Sequence, residues 1–144
     1  MVTQRSGIRV LLVDDHRILR EGLRSCLQSV PNIEVVGEAC NGEEAMSCIG
    51  TLQPQVVVMD ISMPKMDGIT ATRLMTGRYP DVAVVGLSIT EDRYNKVAMK
   101  RAGAFGVMTK GKQSVDELCR EIEKAAATMS LISDLRKKAE INRA

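Results

Sequence analysis

Short apolar runs alternate with amphipathic segments along most of the chain. Five runs rich in Val and Ile predict strands: Ile8–Val13, Ile33–Glu38, Gln55–Met59, Val82–Leu87 and Phe105–Thr109. Their apolar stretches are continuous rather than alternating, which is how strands covered on both faces read. Between them, apolar residues recur at helical spacing. Ile18, Leu19, Leu23, Cys26 and Leu27 share one face, and Ala45, Met46, Ile49 and Leu52 a second. Ile69, Ala71, Leu74 and Met75 form a third, and Val97, Ala98 and Ala102 a fourth. A fifth helix begins at Val115 and turns Leu118, Cys119, Ile122, Ala125 and Ala126 inward. Pro31–Asn32, Pro54 and Pro80–Asp81 close helices ahead of strands, and Gly103 stops the fourth helix. Ser114 and Glu117 have the spacing of a capping box.

Five strand–helix units predict an α/β fold of the doubly wound type, a parallel sheet with helices on both faces. Such sheets bind ligands outside the carboxyl ends of their strands. Asp14 and Asp15 follow the first predicted strand, Asp60 the third, Ser88 the fourth and Lys110 the fifth. Three carboxylates at one sheet edge need a counter-charge. Mg²⁺, which takes oxygen ligands and keeps some waters, supplies it, and Mn²⁺ can take its place. A carboxylate there can attack phosphorus and form an acyl phosphate. Lys110, Ser88 and the cation would then carry the charge on the phosphoryl oxygens.

Composition narrows the function classes. The 144 residues suit one domain, and 44% apolar content is enough for a core. Aromatics at 2% argue against a base-stacking or sugar-binding surface. A net charge of +2 carries no electrostatic footprint for nucleic acid. No apolar run approaches the roughly 18 residues of a membrane span, and Met1–Gly7 is too polar for a signal peptide. The expectation is a cytoplasmic protein without membrane contact. Four cysteines without a CxxC or a Cys/His metal spacing read as free thiols and small core residues. His16, the only histidine, reads as a helix-start residue at the rim of the acidic cluster rather than a base. Asp14 and Asp15 alone would also read as turn and cap residues. Asp67–Gly68 reads as loop chemistry.

Four segments, taken together, resemble the receiver domain of bacterial two-component response regulators: Leu11–His16 (LLVDDH), Met59–Gly68 (MDISMPKMDG), Gly86–Thr90 (GLSIT) and Gly103–Lys110 (GAFGVMTK). The resemblance covers about residues 8–127. With Val35–Ala39 (VVGEA) and a Ser at position 88, it is most similar to the NarL/FixJ (LuxR-type) transcriptional branch. It implies a flavodoxin-like sheet of order 2-1-3-4-5, with Asp60 as phosphoacceptor. It implies that Asp15, Asp60 and the Ser62 carbonyl ligate Mg²⁺, with Asp14 helping through water. Ser88 and Lys110 would contact the phosphoryl group, delivered by a phosphohistidine of a sensor histidine kinase. A phosphorylation-dependent homodimer is a further implied partner. Two positions depart from the pattern. Val107 stands where receivers usually carry the Tyr or Phe that works as a switch with Ser88, with Phe105 two residues before it on the same expected sheet face. Gly111 stands where many receivers have Pro after the lysine.

Residues 1–127 are therefore read as the receiver and 128–144 as a linker or helical tail. Leu131–Leu135 resembles the linker that leads, in this branch, to a helix-turn-helix effector domain. That domain is absent from this chain, so DNA would be reached only through it, and a truncated chain is expected rather than a stand-alone receiver. Ser133 is expected to cap a short helix from Asp134 to about Asn142, with Leu131, Ile132, Leu135 and Ala139 as its apolar stripe. The reading is a signalling switch, not a metabolic enzyme, that assists its own phosphorylation and dephosphorylation. Three rivals stand beside it. A receiver-like module that works without phosphorylation is kept open by Val107. An Mg²⁺-dependent aspartyl-phosphate phosphatase of the haloacid dehalogenase type would need D-x-D, where Asp60-Ile-Ser offers no second acid. A flavodoxin-type FMN carrier would need aromatics beside the flavin.

Overall fold

The computed structural model describes residues 7–143. Its ten elements alternate strictly: β1 Ile8–Val13, α1 Arg17–Gln28, β2 Ile33–Ala39, α2 Gly42–Leu52, β3 Val56–Asp60, α3 Gly68–Arg78, β4 Ala83–Ser88, α4 Arg93–Arg101, β5 Gly106–Thr109 and α5 Val115–Arg143. The five strands are all parallel and lie in the order β2-β1-β3-β4-β5. Strands β3 and β4 sit one residue later than their apolar runs predict, because the ladder takes in Asp60 and Ser88 and leaves Gln55 and Val82 outside. Phe105 likewise precedes β5, although its N–H still donates to the Val84 carbonyl at 2.8 Å.

Alternation within each strand divides the core in two. Val10, Leu12, Val56, Val58, Val85 and Leu87 pack with Leu27 of α1 and Leu118, Cys119 and Ile122 of α5. Leu11, Val13, Val57, Met59 and Val84 pack with Ala45 and Ile49 of α2, Ala71 and Met75 of α3 and Met99 of α4. Strands covered on both faces are what their continuous apolar runs predict. Side-chain oxygens cap four of the helices: Asn41 accepts from the Glu44 N–H at 2.9 Å, Asp67 from Thr70 at 2.7 Å and Asp92 from Tyr94 at 2.9 Å. Ser114 accepts from the Glu117 N–H at 3.2 Å, as the capping-box spacing predicts.

Three sequence expectations are corrected. The face predicted for α1 is only partly covered: Leu27 is buried, whereas Ile18 is 84% and Leu19 56% exposed. Among the described residues nothing covers Ile18 in the first turn of α1, so its spacing records amphipathicity without burial. The cysteines are not all core residues either; Cys119 is buried, Cys26 is exposed, and Cys40 and Cys48 are half-buried. Finally, Ser133 does not start a new helix. Helix α5 runs unbroken for 29 residues, because the segment contains no Pro or Gly to stop it. The expected apolar stripe does not face the domain: Leu131 and Leu135 are exposed, Ala139 is exposed, and Ile132 is half-buried. The Arg136 guanidinium instead meets Asp81 at 3.1 Å, at the opposite end of the sheet from the acidic residues.

Candidate functional site

Parallel register brings the strand-end residues together. β1 and β3 pair Val13 with Met59, so Asp14 and Asp60 lie side by side. β4 pairs Leu87 with Asp60 and Ser88 with Thr109, which places Ser88 and Lys110 on the other flank of Asp60. Backbone hydrogen bonds continue past the strands: Asp14 N–H to Ala39 O at 3.0 Å, Ile61 N–H to Leu87 O at 3.1 Å and Lys110 N–H to Ser88 O at 2.7 Å. The loop after Asp60 turns back at once, with Gly68 N–H on the Ile61 carbonyl at 2.8 Å. A Cβ on Gly68 would lie 2.2 Å from the Asp60 carbonyl oxygen, so only glycine lets α3 begin this close to β3.

Lys110 is the hub of the charges. Its ammonium lies 2.8 Å from Asp14 Oδ2 and 3.3 Å from Asp60 Oδ1. The contact with Asp60 is an ion pair without hydrogen-bond alignment. Asp60 is 1% exposed, and neither of its carboxylate oxygens has a hydrogen-bond partner among the described residues. Burial pushes its carboxyl up to about 6; Lys110 opposes the rise, and the negative Asp14 adds to it. Asp14 goes the other way. Burial raises it, but hydrogen bonds from Lys110 and from the His16 N–H more than offset that and hold it below the usual carboxylate range.

Asp14, Asp15, His16 and Asp60 each bring one ligand atom into a cluster within 4.8 Å of one another. A buried carboxylate without a donor is costly unless a cation or proton meets it. Asp60 among two further acids therefore fits a hard, oxygen-preferring metal ion. Ser62 lines an open cleft together with Asp15, Met63 and Asn95.

Every strand-end residue expected at the site is there. Ser88 is present with a different partner: its hydroxyl donates to the Thr90 carbonyl at 2.8 Å and accepts from the Thr90 N–H at 3.3 Å. The other two switch positions separate, contrary to expectation. Val107 packs against the α2–α4 side of the core and Phe105 against the α1–α5 side. The shared face fails because Phe105 lies before β5, where strand alternation does not apply. Lys110–Gly111 is a trans bond, and Gly111 takes φ +81°, which favours glycine.

Two residues reach the site beyond what the sequence indicates. His16 caps α1 at the rim as expected, yet its Nδ1 reaches within 3.3 Å of Asp14 and 3.2 Å of Asp15. Its place directly after the acid pair was the available signal. Arg20 donates to the backbone carbonyl of Asp14 at 2.5 Å, with no comparable signal in the sequence.

Residues 10–123 match the family model described as the response regulator receiver domain. The chain belongs to that family. The receiver is similar to response regulator GacA of Pseudomonas viridiflava, with 41% identity over 72% of this chain and 49% of that protein. It is 37% identical to the transcriptional regulatory protein DegU of Brevibacillus brevis, over 83% of this chain and 50% of DegU. The chain thus spans about half the length of these curated relatives. A crystal structure of a LuxR-family two-component response regulator from Aurantimonas sp. SI85-9A1 superposes with TM-score 0.80 at 33% identity, covering 85% of this chain and 87% of that one. The receiver is thus a response regulator domain whose relatives include transcriptional regulators, in keeping with the NarL/FixJ branch. No helix among the described residues is long and apolar enough to cross a membrane.

Proposed function

We propose that this receiver is a phosphorylation-dependent switch that takes a phosphoryl group on Asp60 from a phosphohistidine of a sensor histidine kinase. The observation that carries this reading is the Asp60 carboxylate: buried, held at a strand end, free of hydrogen bonds and flanked by Lys110. In the transfer, an Asp60 oxygen forms the new P–O bond as the P–N bond of the donor breaks. The imidazole leaves with the electron pair and takes up a proton from solvent. Asp15, Asp60 and the Ser62 carbonyl would hold Mg²⁺ or Mn²⁺, with Asp14 acting through water. That ion, when bound, neutralises charge between carboxylates and phosphoryl oxygens. Lys110 is placed to pair with a phosphoryl oxygen as its contact with Asp60 is replaced. Leu19, which lines the groove with Asp14 and Lys110, and the exposed Ile18 next to it would offer the kinase an apolar surface on that side of the site.

Ser88 must release the Thr90 carbonyl to reach the phosphoryl group, which ties the chemistry to the Ser88–Glu91 loop and to α4. Val107 has one main rotamer and no hydroxyl, so the signal passes through that backbone rather than an aromatic swing. Residues 1–127 work as the receiver and 128–144 as the connection to an effector. Output is a change in partner or homodimer contacts, and DNA is reached only through a helix-turn-helix domain outside this chain. The location is cytoplasmic, and the receiver assists its own phosphorylation and dephosphorylation without acting as a metabolic enzyme.

Acetyl phosphate and Mg²⁺ followed by intact-mass measurement test the reading. One addition of about 80 Da, the mass of HPO₃, is expected, and it should be absent with EDTA and in Asp60→Asn. No addition to the wild-type chain would leave the second reading, an interaction module independent of phosphorylation, which Val107 favours.

A further inference from the structure

Arg20 and Arg24 lie one turn apart on α1, and both grip Glu38 near the end of β2. Arg20 Nε donates to Glu38 Oε1 at 2.9 Å, and Arg24 Nη1 donates to Oε2, so each carboxylate oxygen has its own guanidinium. Burial pushes the Glu38 carboxyl up, and the hydrogen bonds from Arg24 and Arg20 more than reverse this.

Glu38 reaches this face through an irregularity in the sheet. β1 pairs Val10 with Val35 but Leu11 with Gly37, so Val36 is an extra residue in β2. Ile33 and Val35 face the α1–α5 side, whereas Ala39 faces the α2 side and a Cβ on Gly37 would meet Leu52 of α2. Strict alternation from Val35 would send Glu38 to the α2 side. The extra residue returns it to α1, where the two arginines wait.

The other end of Arg20 reaches the site. Its Nη1 donates to the Asp14 carbonyl at 2.5 Å, while the Asp14 N–H is bonded to Ala39, the residue after Glu38. Both polar groups of the Asp14 backbone are therefore tied to the end of β2, one directly and one through Arg20. The arrangement is largely shielded from water: the Arg20 side chain is 15% exposed and Asp14 6%. Arg24 touches Glu38 but not Asp14.

We infer that Arg20 is a positioning residue for the acid cluster: oriented by Glu38, its guanidinium fixes the Asp14 carbonyl and so sets how the Asp14 and Asp15 carboxylates face the cation. The inference rests on the cation site of the proposed function. It concerns a group that touches neither metal nor phosphoryl.

The test is Mn²⁺ titration of the full chain, read by the electron paramagnetic resonance signal of free Mn²⁺, with circular dichroism confirming the fold of each variant. Arg20→Met keeps the stem and removes the fork; its Mn²⁺ dissociation constant is expected to rise roughly 10–100-fold, the range for losing a group that orients a metal ligand. Arg20→Lys, which still donates one hydrogen bond, recovers part of the loss, and Arg24→Met stays close to wild type. Labelling by acetyl phosphate slows in the same order. A folded Arg20→Met that binds Mn²⁺ as the wild type does overturns the inference. Where Arg20→Met does not fold, Glu38→Gln decides: weakened Mn²⁺ binding supports the positioning role, and unchanged affinity overturns it. A wild-type chain that binds no Mn²⁺ is a different failure, since it removes the cation site itself and the inference with it.

Discussion

Replacing Asp60 with Asn should stabilise the cation-free protein, and by an amount that depends on pH. Burial lifts the Asp60 carboxyl from 3.8 to about 6, so the folded state binds its proton more tightly than the unfolded chain does. A carboxylate raised in this way costs nothing below its unfolded value. The cost grows as pH rises from 3.8 and is complete above about 6. At about 1.36 kcal/mol per pH unit, the ionised group destabilises the fold by about 3 kcal/mol at pH 7.5. At pH 5 the same relation leaves roughly half of that. The amide of the Asn variant remains buried without a designed partner, at a cost of about 1 kcal/mol. The net gain for Asp60→Asn is therefore about 2 kcal/mol at pH 7.5 and under about 1 kcal/mol at pH 5. Urea unfolding in EDTA, followed by circular dichroism because the chain has no Trp, measures both values. Excess Mg²⁺ should then close the gap by stabilising the wild type more than the variant. A variant no more stable than wild type at pH 7.5, or a gap that does not shrink on acidification, would show that the Asp60 carboxylate is not held under electrostatic strain.

Removing the ammonium at the centre of the site should have the opposite sign. Lys110→Met leaves Asp14 and Asp60 facing each other, and a loss of about 2 kcal/mol in urea is expected at neutral pH, smaller at pH 5 where the acids take up protons; equal losses at both pH values would refute this. Gly68→Ala should cost about 3 kcal/mol and slow acetyl phosphate labelling, since the new methyl would meet the Asp60 carbonyl; wild-type stability would show that α3 can move aside freely. Exposed Leu131 and Leu135 on the far turns of α5 should support weak self-association that strengthens on phosphorylation. Light scattering across a dilution series should show it weaken when both become Ser, and a strict monomer in both states would rule it out.

Much of the site was legible in the sequence, and the reason is the topology. In a parallel doubly wound sheet every strand delivers its C-terminal neighbour to the same edge. Marking the ends of five Val- and Ile-rich runs therefore collects Asp14, Asp15, Asp60, Ser88 and Lys110, whatever the strand order. The inner face of α5 was equally readable, because Leu118, Cys119, Ile122 and Ala125 repeat at helical spacing and all are buried. Local periodicity also overreached. Ile18 and Leu19 keep the helical spacing of α1 but stay largely exposed among the described residues, and a pattern within one element cannot say whether another element arrives to cover it. The unbroken course of α5 past Ser133 reflects the absence of any helix-stopping residue, which outweighed a good cap. Contacts between distant segments were decided by tertiary structure alone. Lys110 and Asp14 meet across 96 positions of sequence, and Val107 and Phe105 part company because β5 begins between them. One extra residue at Val36 shifts a register and turns Glu38 towards Arg20. Period-two patterning carries no mark of that shift, because it is set by how β2 lies against β1 and not by either strand on its own.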